Sequence, residues 1–187
     1  GKLWNWEPET PKRDLAKRVM SEVLPSVDVL IANEEDCGDV LGIRADRSDV
    51  HAGELDIASY PAVAKQVVSE FPNIGIVATT LRQSLSASHN NWGAMLYATQ
   101  SQTAIFSPRQ GGDYSPYQIR NLVDRVGGGD SFAAGLIHGL TCEDYPSLEE
   151  ALDFAVAASC LAHSIEGDFN HSSRAEVDAL AGGSGSG

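Results

Sequence analysis

The chain has 187 residues, 42% of them hydrophobic, and carries 26 acidic against 13 basic side chains for a net charge of −13. That length supports one sizeable core, and the acidic balance argues against a nucleic-acid partner, because a phosphate backbone would be repelled over most of the surface. No stretch approaches a membrane span, while Cys37, Cys142 and Cys160 are odd in number and lack CxxC spacing, so they read as reduced thiols of a cytoplasmic protein without a secretory signal.

In chain order, Thr10-Pro11 offers an N-cap and a first-turn proline, after which Leu15, Val19 and Val23 keep helical spacing up to Pro25. The run from Val27 to Ala32 is apolar and rich in β-branched residues, as a buried parallel strand would be. Asn33-Glu34-Glu35-Asp36 follows it directly and opens a short helix toward Leu41-Gly42. Residues 44–56 read as a polar surface excursion before a helix from Pro61 to Phe71. Ile74 to Thr80 is the second buried strand, which places Thr80 and Arg82 at and just past its end. Trp92 to Ala98 and Thr103 to Phe106 suggest an antiparallel hairpin, and Gly111 to Pro116 a loop.

A helix over 130–140 puts Ala133, Leu136, Ile137 and Leu140 on one side, with Gly135 and Gly139 permitting close approach of a neighbour. Ser147 to Glu150 forms a capping box for a long apolar helix through Ala162, and Ser173 to Glu176 opens a last helix. Strands alternating with helices imply an α/β layer fold with a mostly parallel sheet. The five histidines show no metal-ligand spacing, so surface or locally hydrogen-bonded roles are expected for them.

The chemistry concentrates in Asp124 to Gly135. Three consecutive glycines, Gly127, Gly128 and Gly129, free the backbone to aim its N–H groups at one point, and Asp130 follows where a helix begins. This is an anion site with a carboxylate beside it, suited to phosphoryl transfer, with Asp130 as the group that accepts a proton from an attacking hydroxyl. The plain alternative is a turn feeding a helix, with Asp130 as a capping acid. Ligands of such sheets collect at the carboxyl ends of the strands. Asn33, Glu35 and Asp36 after the first strand, Thr80 and Arg82 after the second, and the glycine run could therefore converge on one nucleotide. Singly, Asn33 also reads as a helix cap, the acids as a solvated first turn and Arg82 as an exposed strand-end arginine.

Asp124, Gly127, Gly129, Asp130, Ser131, Phe132 and Gly135 together resemble the signature Asp-x-x-Gly-x-Gly-Asp-Ser-Phe-x-x-Gly of the ribokinase-like sugar kinases. Ala78 to Arg82, Ser86 to Trp92 and Gly167 to Asn170 are most similar to the 2-keto-3-deoxygluconate kinase branch. The resemblance implies a three-layer α/β/α fold and ATP-dependent phosphorylation of the sugar acid's 6-hydroxyl. It further implies that Asp168 contacts sugar hydroxyls, that Asp124 attends a monovalent cation such as K+, and that the segment at Asn33 helps organise Mg2+. The family has Glu where this chain has Asp36, a shorter carboxylate, which makes Glu35 the substitute for it.

The same resemblance sets out an expected departure. The first strands, the small β lid and most sugar contacts of that family would precede Gly1, so residues 1–181 read as its nucleotide-binding part and 182–187 as an engineered Gly/Ser linker. A complementary N-terminal segment is then an expected partner, and self-association through exposed sheet edges and apolar surface is expected in its absence. The competing class is a nucleotide-binding or self-assembling module without catalysis. A dinucleotide-binding site fits less well, because Phe132 stands where G-x-G-x-x-G needs its third glycine.

Overall fold

The computed structural model describes residues 6–33, 36–43, 57–86 and 88–183. The expected excursion at 44–56, Glu35, the opening residues 1–5 and the end of the Gly/Ser tail, 184–187, lie outside the described residues. Two compact units emerge from the backbone: the first reaches to Thr79 and takes in Leu96–Ala104, and the second holds Thr80–Met95 and the chain from Ile105 onward.

In the first unit, helix α1 (Lys12–Val23) buries Leu15 and Ala16. Its N-cap is Pro11 rather than Thr10, because the Thr10 hydroxyl turns back to donate to the Glu7 carboxylate at 3.1 Å. Strand β1 (Val29–Ala32) pairs in parallel with the start of β2 (Ile76–Ser84), Val29 opposite Ile76 and Ala32 opposite Thr79. Between them a π-helical turn, Cys37–Leu41, closes on Gly42 in a left-handed conformation, φ 74°, and α2 (Tyr60–Glu70) buries Tyr60, Val63, Ala64 and Val67. The side-chain amide of Asn73 donates to the carbonyls of Leu24 and Val27, both at 2.8 Å, which pins the turn before β2 to the approach to β1.

Strands β2, β3 (Asn90–Ala98) and β4 (Thr103–Ser107) continue the sheet in the order β1-β2-β3-β4, and β7 (Tyr117–Ile119) pairs with β3 antiparallel, Asn90 opposite Ile119. The sheet is mixed, where the sequence suggested a mostly parallel one. Its β1–β2 pair is parallel and its β3–β7 pair antiparallel. β2 also runs four residues past its expected end, since buried Leu81 and exposed Arg82 continue the period-two alternation. Gly111 to Pro116 is not all loop: β5 (Arg109–Gln110) and β6 (Asp113–Tyr114) form a small hairpin. It turns through Gly111 and Gly112 at φ 64° and 98°, a left-handed pair that glycine adopts freely.

The second unit's helices are α3 (Gly128–Thr141), α4 (Leu148–Ala162) and α5 (Arg174–Ala181). Both expected capping boxes form, Ser147 with Glu150 and Ser173 with Glu176. α3 packs tightly on α4 because two glycines face it. A methyl carbon at Gly135 would lie 2.9 Å from the Cα of Ala155, and one at Gly139 only 2.7 Å from that of Ala151. This contact sets the rotation of α3, so Phe132, Gly135, Leu136 and Gly139 are inside, while Ile137, expected to be on the core side, is 58% exposed.

Alanine is the better helix former by about 1 kcal/mol. Gly139→Ala should nevertheless lower stability by about 1–3 kcal/mol, because the added carbon must push α3 away from α4. Denaturant unfolding checks this, and an unchanged or raised midpoint would contradict the packing described.

Candidate active site

α3 starts two residues earlier than its sequence suggests, so the glycine run forms its cap and first turn. Gly127 is the N-cap at φ 78°, and a side chain there would begin 2.5 Å from the carbonyl oxygen of Asp168. Gly128 has the His163 ring 2.8 Å from its missing β-carbon, so both positions demand glycine for reasons internal to the chain. Gly129 is different: nothing lies within 4 Å of where its side chain would start, and its φ is not positive. The first helical hydrogen bond runs from the Ser131 amide to the Gly127 carbonyl at 2.8 Å. The amides of Gly128, Gly129 and Asp130 precede that bond and have no partner among the described residues, as the first turn of a helix dictates. The helix dipole adds partial positive charge at the same place.

Three groups hold this turn. The Asp124 carboxylate accepts from the amides of Arg125 at 2.7 Å, Val126 at 3.1 Å and Gly167 at 3.0 Å. These bonds, that of Val126 foremost, hold its pKa below the usual carboxylate value. The Ser159 hydroxyl donates to the Gly128 carbonyl at 2.7 Å. His163, four residues on at the C-cap of α4, has Nδ1 2.7 Å from the Ser159 carbonyl, its ring tilted against Trp92 at 4.6 Å, and its own carbonyl receiving the Val123 amide at 2.9 Å. Since a carbonyl only accepts, Nδ1 carries the proton. Burial lowers the His163 pKa against that bond, and the charges of Arg82 and Arg125 lower it further. The Cys160 thiol between them is pushed up to about 12 by burial, and Cys37, Cys142 and Cys160 form no disulfide.

Asp130 is exposed and stands on the wall of a cleft of about 490 Å³ that also includes His138, Phe154, Asp168, Asn170 and Arg174. Asp130 and Asp168, 38 positions apart in the sequence, thus share one cavity. Arg174 meets Asp144 at 2.7 Å and Asp178 at 3.4 Å, so its charge is balanced by acids. The charges of Arg82 and Arg125 lie near enough to His163 to lower its pKa.

The expected site residues thus fall into three sets. Asp124, the three glycines, Asp130 and Asp168 are brought together in the second unit. Thr80 and Arg82 lie inside β2 rather than beyond its end. Asn33 and Asp36 belong to the first unit, where each side chain accepts the other's amide, Asn33 Oδ1 at 2.8 Å and Asp36 Oδ2 at 3.2 Å. No group of three metal-ligating side chains occurs among the described residues, which do not include Glu35. Sequence reading missed Ser159 and His163. The available signal was two polar residues four apart, continuing the face that carries Ala151 and Ala155.

The pfkB family carbohydrate kinase model matches residues 5–173. Among solved structures, 2-dehydro-3-deoxygluconokinase from Thermotoga maritima is 38% identical with a TM-score of 0.76, over 91% of this chain and 46% of that one. A putative 2-keto-3-deoxygluconate kinase from Enterococcus faecalis is 25% identical with a TM-score of 0.68, over 97% and 48%. A putative ribokinase II from E. coli, in complex with ATP and Mg2+, shares the fold at 18% identity and a TM-score of 0.54, over 90% and 42%. The chain therefore spans about half the length of the structures it matches, and the fold is ribokinase-like. No curated protein matches the chain. No helix among the described residues is long and apolar enough to cross a membrane.

The buried histidine has a consequence for stability. Folded His163 resists protonation whereas the unfolded chain takes up a proton near pH 6.5, so the unfolded state binds more protons as pH falls. Stability should decline from pH 7 to 5.5, and His163→Gln should flatten that decline in denaturant unfolding at matched pH values. Parallel slopes for the two proteins would contradict it.

Proposed function

Because the chain belongs to the pfkB family of carbohydrate kinases, we propose that it carries the phosphoryl-transfer site of an ATP-dependent kinase that phosphorylates the 6-hydroxyl of 2-keto-3-deoxygluconate. The observation that carries the chemistry is a single helix turn presenting three unpartnered amides and an exposed carboxylate on a cleft wall. The choice of sugar acid rests on the 38% identity to the Thermotoga maritima enzyme.

The amides of Gly127, Gly128 and Gly129, joined by that of Asp130, meet the oxygens of the transferred phosphoryl group as their negative charge rises. The Asp130 carboxylate takes the proton of the sugar hydroxyl as that oxygen attacks phosphorus. Asp168, in the same cleft, orients the sugar, and Arg82 with Thr80 serves the nucleotide. Mg2+, carried by the nucleotide phosphates with Asn33, Glu35 and Asp36 as candidate contacts, supplies further charge neutralisation. With two of its oxygens engaged by backbone amides, Asp124 acts first as the brace of the loop and secondarily as a candidate neighbour of K+. Residues 1–181 form the kinase part and 182–187 a Gly/Ser linker, in a cytoplasmic protein.

Sugar contacts are completed by a complementary kinase segment, for which the more than half-exposed Ile137 and Phe169 provide apolar surface. The same surface favours the second reading, a nucleotide-binding module that associates with its own copies and phosphorylates nothing.

Purified chain mixed with MgATP and the sugar acid, with and without a separately produced complementary segment, distinguishes these readings. Mass spectrometry should find the 6-phosphate when the segment is present. Asp130→Asn should cut turnover by about 10²–10⁴-fold while MgATP affinity stays within about twofold. Equal turnover in the variant would remove the proposed base, and nucleotide binding without product in either mixture would favour the non-catalytic reading.

A further inference from the structure

We propose that Ser159 is a positioning residue for the phosphoryl group, acting through the peptide that joins Gly128 to Gly129. The inference rests on the phosphoryl-transfer reading above and adds to it a residue that never touches the nucleotide.

A serine buried in the middle of a helix ordinarily bonds the carbonyl four residues back in its own helix. Ser159, fully buried in α4, instead reaches across to α3 and donates to the Gly128 carbonyl at 2.7 Å. That oxygen already stands at the head of the α3 ladder, where the amide four residues on is its regular partner. The hydroxyl is therefore a second donor to an oxygen whose helical bond is supplied without it.

The Gly128 carbonyl and the Gly129 N–H belong to one planar, resonance-coupled peptide unit. A donor placed on the oxygen draws electron density from the nitrogen and leaves the Gly129 proton more positive, the usual way in which chained hydrogen bonds strengthen one another. Gly129 is also exposed where Gly128 is buried, with nothing within 4 Å of its missing side chain. Ser159 thereby raises the donor strength of the amide best placed to meet an anion. His163, with its ring against Gly128 and Nδ1 on the Ser159 carbonyl, fixes the distance across which the hydroxyl reaches.

The test compares the parent chain with Ser159→Ala and Ser159→Thr, reading the Gly129 amide proton by NMR and MgATP affinity by calorimetry. The alanine variant should move the Gly129 proton upfield and weaken MgATP binding about threefold to tenfold, and threonine, which keeps the hydroxyl, should return both toward the parent values. If the alanine variant fails to fold, Ser159→Cys takes its place, filling a similar volume with a weak donor. A variant that loses stability while keeping the parent's MgATP affinity would overturn the proposal, as would a Gly129 resonance that does not move. A parent chain that binds no MgATP defeats the kinase reading instead, and the Gly129 shift still accepts or rejects the polarising bond.

Discussion

At Gly127 the backbone turns left-handed, φ 78°, with the Asp168 carbonyl 2.5 Å from where any side chain would begin, and the candidate site follows from that turn. An L-residue with a side chain would have to force the 167–168 segment away and would strain its own backbone. With glycine in place, the chain enters α3 abruptly. The amides of Gly128, Gly129 and Asp130 are left unpaired, and the catalytic candidate sits in the same turn as the donors it must work beside. The segment that abuts Gly127 also brings Asp168 to the cleft that Asp130 lines.

The turn is braced by side chains that direct their hydrogen bonds onto it. Asp124 ties the amides of Arg125 and Val126 to that of Gly167, joining the two strips of chain that frame the cleft. Beneath them, Ser159 and His163 replace what would be apolar contacts with directed ones, and the glycines of α3 let α4 come close enough for those bonds to form. Packing and electrostatics are therefore coupled: the apolar seam around Gly135 and Gly139 determines whether the hydroxyl of Ser159 can reach Gly128. An acidic chain still offers an anion a local welcome here, since the helix dipole acts at short range while the remote carboxylates are screened.

Much of this was legible in the sequence because it is local. Capping boxes at Ser147 and Ser173 are four-residue patterns, and the glycine run before Asp130 marks a tight entry into a helix by itself. The parallel pairing of β1 with β2 was likewise announced by two apolar, β-branched runs. What could not be read was non-local. Arg82 looks like the end of a strand until hairpin pairing carries β2 on to Ser84, and Ile137 looks like core until the glycine seam rotates α3. Ser159 carries no sign in the sequence of the residue it serves, 31 positions earlier.

Gly129 separates the demands of the fold from those of the ligand. Neither its backbone angle nor its surroundings require glycine, so a methyl group there should leave stability unchanged or raise it by about 0.5–1 kcal/mol. Calorimetric titration of Gly129→Ala with MgATP, beside denaturant unfolding of the same protein, is therefore the most direct measurement. The account predicts a chain as stable as the parent whose MgATP affinity falls at least tenfold, about 1.4 kcal/mol. Undiminished affinity in a stable variant would mean that no phosphate approaches those amides.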